Sequence, residues 1–142
     1  MFHEQRTDVD GLSPGDLRAE YEADLAEAVE AVGIDAASEE TALDRDRLAA
    51  LAGGESPSLS LEEAARVQSL ADGVADPETV AEMACEHLLL GMTTGVMDVD
   101  ALARGLDIGL DPKEVQQKIE RRAPMSFEEF VRIQHVIASG QP

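Results

Sequence analysis

Six polar side chains lie close together in the last third of the chain, and their types could bind nucleic acid. They are Lys113, Gln116, Gln117, Lys118, Arg121 and Arg122. A glutamine amide can form paired hydrogen bonds with an adenine edge, and arginine or lysine can bind guanine or a phosphate. The same residues also fit a helix face that is only solvated and forms salt bridges with neighbouring acids.

The other candidates for chemistry carry weaker signals. Cys85 and His87 lie in an apolar segment, and His3 and His135 stand at no spacing typical of metal ligands, which favours a buried thiol and a half-buried imidazole. The sequence contains no glycine-rich phosphate loop, no HExxH motif and no nucleophile elbow. With 30 acidic residues, any carboxylate spacing occurs by chance. We therefore expect no enzymatic activity, no cofactor and no metal.

The charge of the chain is strongly acidic and unevenly distributed. Aspartate and glutamate number 30 against 11 lysine and arginine, which gives a formal net charge of -19. Residues 108–142 hold five of each sign, so the excess lies in residues 1–107 and the polar cluster is the least repulsive region for DNA. In its acidic residues interleaved with apolar residues, the chain resembles the proteins of salt-accumulating halophilic archaea. In those cells concentrated salt screens the repulsion between carboxylates. The alternative is an acidic protein that mimics nucleic acid or binds basic partners.

Helical periodicity and helix-end signals predict an all-α chain with two similar halves. Ser-Pro at 13–14 and Asp-Pro at 76–77 each supply an N-cap followed by proline at the first helical position. The long helices that they open are predicted to end at Gly33 and near Gly95. Because aromatic residues make up only 3% of the chain, the core is expected to consist of Leu, Val, Ile, Met and Ala.

Signals for short helices follow in each half. Asp44 and Asp111 are predicted N-caps, and Ser-x-x-Glu capping boxes begin at Ser60 and Ser126. The stretch 34–42 is only a weak helix candidate. Each half is thus predicted to contain one long helix, two short helices and a final helix.

The two halves also match in sequence. Segment 43–68 aligns with segment 110–134 after a single-residue gap. The identical pairs are Leu43/Leu110, Asp44/Asp111, Pro57/Pro124, Ser60/Ser126, Glu62/Glu128, Glu63/Glu129, Arg66/Arg132 and Gln68/Gln134. Self-similarity at a fixed period predicts a duplicated unit of about 65 residues.

The repeated segment resembles the lambda-repressor-like (Cro-type) helix-turn-helix family. Segment 43–67 shows the features of this family in the same order: an apolar residue, a polar cap, a second apolar residue, a glycine-containing turn, a proline and an acidic helix start. Segment 98–124 resembles it as well, with 101–105 as scaffold helix and 112–122 as recognition helix. The resemblance implies that exposed residues of the recognition helix contact base edges while its cations hold phosphates. It thereby assigns DNA binding to the six polar side chains above.

The whole chain further resembles a haloarchaeal family of tandem helix-turn-helix proteins of uncharacterised function. We expect a polar arm at residues 1–12, a first unit at 13–75 and a second unit at 76–142, packed together as four to five helices each. The first unit is degenerate, because Asp46 and Ala49 stand where a reading helix needs hydrogen-bond donors. The chain is therefore predicted to be a DNA-binding transcriptional regulator, whose second unit contacts double-stranded DNA.

The alternative is a helical module that has lost DNA binding and recruits a protein partner. An apolar stripe in the second half could be core or the interface of a homodimer; its members are Met83, Leu88, Leu89, Met92 and Met97. Cys85 is the single cysteine, so an intrachain disulfide is excluded. The sequence shows no signal-peptide arrangement and no long apolar run, which favours a cytoplasmic protein without a membrane partner.

Overall fold

The helices of this chain repeat one order of lengths twice. The computed structural model describes residues 11–106 and 108–139. The helices in these ranges are α1 (Pro14–Val32), α2 (Ile34–Thr41), α3 (Arg45–Ala52), α4 (Leu61–Gln68), α5 (Pro77–Thr94), α6 (Val99–Leu106), α7 (Pro112–Ile119) and α8 (Phe127–Ser139). The fold is all-α, as expected, and one long helix is twice followed by three shorter ones. The predicted arm at 1–12 lies outside the described residues apart from Gly11 and Leu12.

The predicted caps determine where the helices begin. Each cap side chain accepts a hydrogen bond from the backbone N–H three residues later, as seen at Ser13, Asp44, Ser60, Asp76, Asp111 and Ser126. Glu63 and Glu129 each accept a hydrogen bond from the backbone N–H of the capping serine, which completes both predicted capping boxes. These bonds satisfy N–H groups that have no partner within the helix. The starting positions are therefore local properties of the sequence.

The ends of the two long helices agree with the predictions, whereas the recognition helix predicted at 112–122 ends at Ile119. Helices α1 and α5 end at Gly33 and Gly95, and α3 ends at Gly53. The stretch 34–42, expected to be a weak candidate, instead contains the regular helix α2, in which Ala37 and Thr41 are buried. Packing of α2 against α1, α3 and α4 supplies the stability that its local sequence lacks.

One hydrophobic core extends through both halves. Helix α1 packs on α3, α4 and α8, and α5 packs on α4, α7 and α8. Aliphatic side chains form most of this core, as expected, but aromatic rings lie at its centre. Tyr21, Phe127 and Phe130 have no exposed area, and their ring centroids are 6.1 to 6.5 Å apart. No helix in the described ranges is both long and apolar enough to cross a membrane.

The halves meet in a reciprocal backbone contact between α4 and α8. The N–H of Leu61 donates to the carbonyl oxygen of Met125 at 2.9 Å, and the N–H of Phe127 donates to that of Leu59 at 2.8 Å. These bonds flank an isolated antiparallel bridge between the two capping serines. Because aligned positions contact each other in both directions, the contact has the form seen between two copies related by a twofold axis.

Candidate nucleic-acid interface

The outer face of α7 presents three of the six predicted side chains together. Lys113, Gln116 and Gln117 follow one stripe of the helix; the first two are exposed and the third is half-buried. On the opposite face, Val115 and Ile119 are buried. No side-chain hydrogen bond or ion pair ties the three to other residues that the structure describes. This stripe, which we call the α7 stripe, can therefore meet a ligand without first breaking an internal contact.

Lys118 has a different position from the other predicted residues. Its Nζ donates to the carbonyl oxygen of Pro124 at 2.8 Å and to Oε1 of Glu129 at 3.0 Å. Only 16% of the side chain is exposed. The ammonium thus connects the end of α7 to the cap of α8, so the structure gives Lys118 a positioning contact within the fold.

Arg121 and Arg122 lie in the turn that ends α7. The N–H of Arg122 donates to the carbonyl of Gln117 at 2.8 Å and that of Arg121 to the carbonyl of Lys118 at 3.2 Å, the pattern of a Schellman motif. This motif places its penultimate residue in the left-handed region, and Arg121 has a φ of 64°. Its guanidinium lies 3.7 Å from Glu62 on α4, whereas the Arg122 side chain is 74% exposed. Arg122 therefore borders the α7 stripe from its C-terminal end, and Arg121 is turned towards α4.

The corresponding helix of the first half, α3, offers a different surface. Asp46 and Ala49 are exposed there, and Arg45 is paired with Asp35. Arg47 donates to the carbonyl oxygen of Ser58 at 3.1 Å and to Glu63 at 2.8 Å, much as Lys118 does in the second half. The described side chains of α3 thus leave no counterpart of the α7 stripe.

Arg47 also changes the titration of its acidic partners. Its hydrogen bond lowers the pKa of Glu63 below the usual range, and the same guanidinium lowers the pKa of Asp44. The Arg47 pKa is raised in return, first through its hydrogen bond to Glu63. These three groups therefore remain charged at neutral pH and hold α3 to the start of α4.

Cys85 and His87 take the structural positions expected of them, and His3 lies outside the described residues. Cys85 is buried, and desolvation raises the pKa of its thiol to about 11, an effect that Arg121 partly offsets. His87 is half-buried on α5, and the ring Nε2 of His135 lies 2.6 Å from the carbonyl oxygen of Leu12. Among the described residues, no three His, Cys, Asp or Glu side chains converge where they could hold a metal ion.

The apolar stripe predicted in the second half divides into core and surface. Leu88 is buried, and Met83, Met92 and Met97 are half-buried. Leu89 is exposed, and so are two neighbours that the prediction did not include: Leu90 is 63% and Val96 is 92% exposed. We call Leu89, Leu90 and Val96 the apolar edge of α5. The edge borders an open groove lined in part by the two methionines Met92 and Met97.

Sequence reasoning missed a cavity of about 290 Å³ between α4, α5 and α7. Arg121, Arg122 and Lys118 lie on one side of it, and Ala81 and Cys85 lie on another. A sequence signal does exist. Pairing the long helices of the two halves by their caps places Ala81 and Cys85 opposite Arg18 and Glu22, so two small residues in the second half replace two large charged ones in the first.

Comparison with known proteins places the chain in a family. No curated protein and no solved structure matched it. A family model matched residues 17–140, which include every helix from the first turn of α1 to the end of α8. The chain therefore belongs to the family described as a family of unknown function, DUF5791.

Proposed function

We propose that this protein is a DNA-binding transcriptional regulator whose second half reads double-stranded DNA through α7. The observation that carries the proposal is the α7 stripe, in which Lys113, Gln116 and Gln117 lie side by side on an exposed helix face without internal partners. Glutamine and lysine on such a face have the donors and acceptors that base edges in the major groove require. In this role the protein acts by binding and needs no catalytic group.

The arrangement of α6 and α7 supports a helix-turn-helix reading of the second half. The two helices pack together and are joined by five residues, 107–111. In a helix-turn-helix protein the second helix enters the major groove while the first crosses the backbone. Lys113, Gln116 and Gln117 then face the bases, Arg122 reaches a phosphate, and Lys118 holds the end of α7 against α8.

The charge distribution supports α7 as the DNA-facing element. Residues 108–142 carry as many basic as acidic residues, whereas the rest of the chain carries the entire excess of -19. A cytoplasm rich in salt, as in halophilic archaea, screens the remaining repulsion, although it also weakens the release of counterions that drives most DNA binding. Affinity is therefore expected to depend on base contacts, and the rise of log Kd with the logarithm of the salt concentration is expected to be shallow.

Fluorescence anisotropy with labelled duplex fragments of genomic DNA in molar KCl tests the proposal. The triple substitution Lys113→Ala, Gln116→Ala and Gln117→Ala is expected to weaken binding by at least about tenfold, since each base contact contributes roughly 1–3 kcal/mol of discrimination. Arg45→Ala, an exposed cation on the corresponding helix of the first half, is the matched control and should bind normally. Unchanged binding by the triple variant, or no binding by the native protein at any salt concentration, rejects the proposal.

A protein-interaction module is the second candidate, and the apolar edge of α5 favours it. Leu90 and Val96 are large exposed apolar residues of the kind that mark contact surfaces. Val96 also holds a φ of 52°, which is unfavourable for a β-branched side chain. If the edge joins two copies, sedimentation equilibrium should show a homodimer that Leu90→Glu dissociates, with Glu86→Gln, an exposed position on the same helix, as control. If the native protein and the Leu90→Glu variant are both monomers, the edge does not join two copies. The partner in this second candidate function is then a different protein.

A further inference from the structure

The two long helices are equivalent in burial but differ at two positions that face the other half. When α1 and α5 are paired by their caps, Leu17, Tyr21 and Leu25 stand opposite Val80, Ala84 and Leu88, and all six are buried. The same pairing sets Arg18 opposite Ala81, and Glu22 opposite Cys85. The space that these side chains occupy is therefore filled differently in the two halves.

In the first half, a charged network fills this space. The Nε of Arg18 donates to Glu22 at 3.1 Å, its Nη2 donates to the carbonyl oxygen of Pro57 at 2.9 Å, and its Nη1 pairs with Glu128. Ser56 donates a further bond to Glu22 at 2.7 Å. Only 14% of the Arg18 side chain is exposed, so the guanidinium is enclosed by its partners.

In the second half, the same space is an open cavity. Ala81 and Cys85 are too short to fill it, and about 290 Å³ remains, close to the smallest volumes typical of ligand pockets. Leu61, Ala81, Cys85 and Met125 give it an apolar floor, and Arg121 and Arg122 lie at its rim. The cavity thus combines an apolar interior with a cationic edge.

The rim cations keep donors that the fold does not use. Lys118 is compensated by Glu129 at 3.0 Å, but Arg121 is 3.7 Å from Glu62 and Arg122 is 4.0 Å from Glu120, distances too long for a hydrogen bond. Arg66 borders an adjoining cavity of about 280 Å³ that shares Glu62, Ala81 and Arg121 with the first. Three guanidinium groups therefore lie around this region, together with the acidic residues Glu62 and Glu78, in a chain whose net charge is -19.

The turn at Arg121 also differs from its equivalent in the first half. In the first half the equivalent turn has Gly54 in the left-handed conformation, with a φ of 84°, and the same pair of backbone hydrogen bonds. Arg121 occupies that conformation at a φ of 64° although glycine suits it far better. A positive φ is common where a helix ends, as at Ala42 with a φ of 61°, but at Arg121 it is adopted by a long cationic residue that lines the cavity.

We propose that the cavity between α4, α5 and α7 binds a small organic carboxylate with a compact apolar body. The planar guanidinium of Arg121 matches a carboxylate with two parallel hydrogen bonds, and Arg122 closes over it from the solvent side. The apolar body lies against Leu61, Cys85 and Met125. The floor excludes a bare inorganic anion as the preferred ligand, since such an ion leaves the apolar part empty. This site contains no residue of the α7 stripe, although it shares Arg122 with the proposed phosphate contact, and it does not require DNA to be bound.

The single cysteine of the chain allows a direct test, because Cys85 lies in the cavity wall. The rate at which a disulfide reagent such as dithiodipyridine modifies the thiol reports whether the cavity is occupied. At constant ionic strength, benzoate is expected to slow the modification saturably, by about tenfold at ten times its apparent Kd. Benzamide, which has the same shape without the charge, and inorganic phosphate should have little effect. Equal protection by benzoate and benzamide, or none by benzoate, overturns the proposal.

Two variants establish which groups bind. Arg121→Gly removes the guanidinium and supplies the residue that the first half uses in the same turn, so the fold is retained while protection by benzoate is lost. Ala81→Arg rebuilds the Arg18 arrangement and fills the cavity; the shifts of backbone amide NMR signals that benzoate causes in the native protein should then disappear. Arg104→Ala, an exposed position on α6 that lines neither cavity, should leave protection unchanged. Undiminished protection in Arg121→Gly shows that the carboxylate is not bound as proposed.

Discussion

At Arg121 the backbone and the side chain have separate roles. Arg121 completes the turn after α7, yet its side chain takes no strong partner within the described structure, and its pair with Glu62 spans 3.7 Å. Gly54 makes the same turn in the first half without any side chain. The turn therefore requires a left-handed backbone conformation at this position, but it does not require the arginine side chain.

At residue scale, Arg121→Gly is expected to stabilise the protein by roughly 0.5–1 kcal/mol, because glycine relieves the left-handed strain and an exposed ion pair contributes little. Urea denaturation at neutral pH measures the change. Glu120→Gly, one residue earlier at a φ of -79°, is the matched control and should destabilise by a similar amount. A lower free energy of unfolding for Arg121→Gly would show that its side chain contributes more to the fold than its contacts indicate.

A second residue-scale prediction concerns the titration of the Arg47 cluster. Glu63 and Asp44 have lowered pKa values in the folded state. Their contribution to stability is therefore present above the unfolded pKa, about 4, and is lost as the pH falls through the lower, folded pKa. Arg47→Met should cost stability at pH 7 and progressively less on acidification, as followed by denaturant unfolding across that range. Arg45→Met removes only an ion pair between two exposed side chains, Arg45 and Asp35, and should show a much smaller dependence on pH.

At the scale of elements, the short helices depend on contacts between their ends. Lys118 joins α7 to the capping box of α8 in the second half, and Arg47 joins α3 to that of α4 in the first. Each cation also donates to the carbonyl two residues before the capping serine. The two cations occupy different aligned positions, so the same connection is made from different places on the helix.

This arrangement predicts unequal effects on stability for two lysines of α7. Lys118→Met should destabilise the protein by about 1–2 kcal/mol, since it removes charge-assisted hydrogen bonds from a largely buried site. Lys113→Met, at an exposed position without a partner, should change stability by less than about 0.5 kcal/mol. Thermal unfolding separates the two. Equal effects on stability would mean that Lys118 does not hold α8 in place.

At the scale of the whole molecule, the net charge destabilises the compact fold and the hydrophobic core stabilises it. The net charge of -19 favours expansion, whereas one hydrophobic core with Tyr21, Phe127 and Phe130 at its centre joins the two halves. Bridging backbone bonds between Leu59, Leu61 and their aligned partners complete the contact. The balance between repulsion and burial therefore depends on the surrounding salt.

The proposed halophilic origin leads to a measurable salt dependence. Raising KCl from about 0.1 M to 2 M should stabilise the folded state by at least about 1 kcal/mol, or about 4 °C in Tm, because screening removes repulsion among exposed carboxylates. Circular dichroism during heating follows the change. Sucrose at equal osmolality, which strengthens burial without screening charge, should give a smaller shift. A Tm that is constant or falls with KCl would contradict this origin.

The sequence by itself determined where the helices begin and end, because caps, prolines and glycines act within one turn of the chain. Ser60, Asp111 and Gly95 behave as their local patterns predict. It also determined that Lys113 and Gln116 share a face, since helical spacing alone decides this.

Only the tertiary structure decided what depends on distant contacts. Helix α2 gains its stability from packing on neighbours, and Lys118 turns inward because Glu129, eleven residues away, lies beside it. The aromatic centre, the pairing of the capping serines and the cavity beside Arg121 each arise where the halves meet. Those contacts join residues far apart in the chain, and the free energy that fixes them comes from burial and charge pairing that no local pattern records.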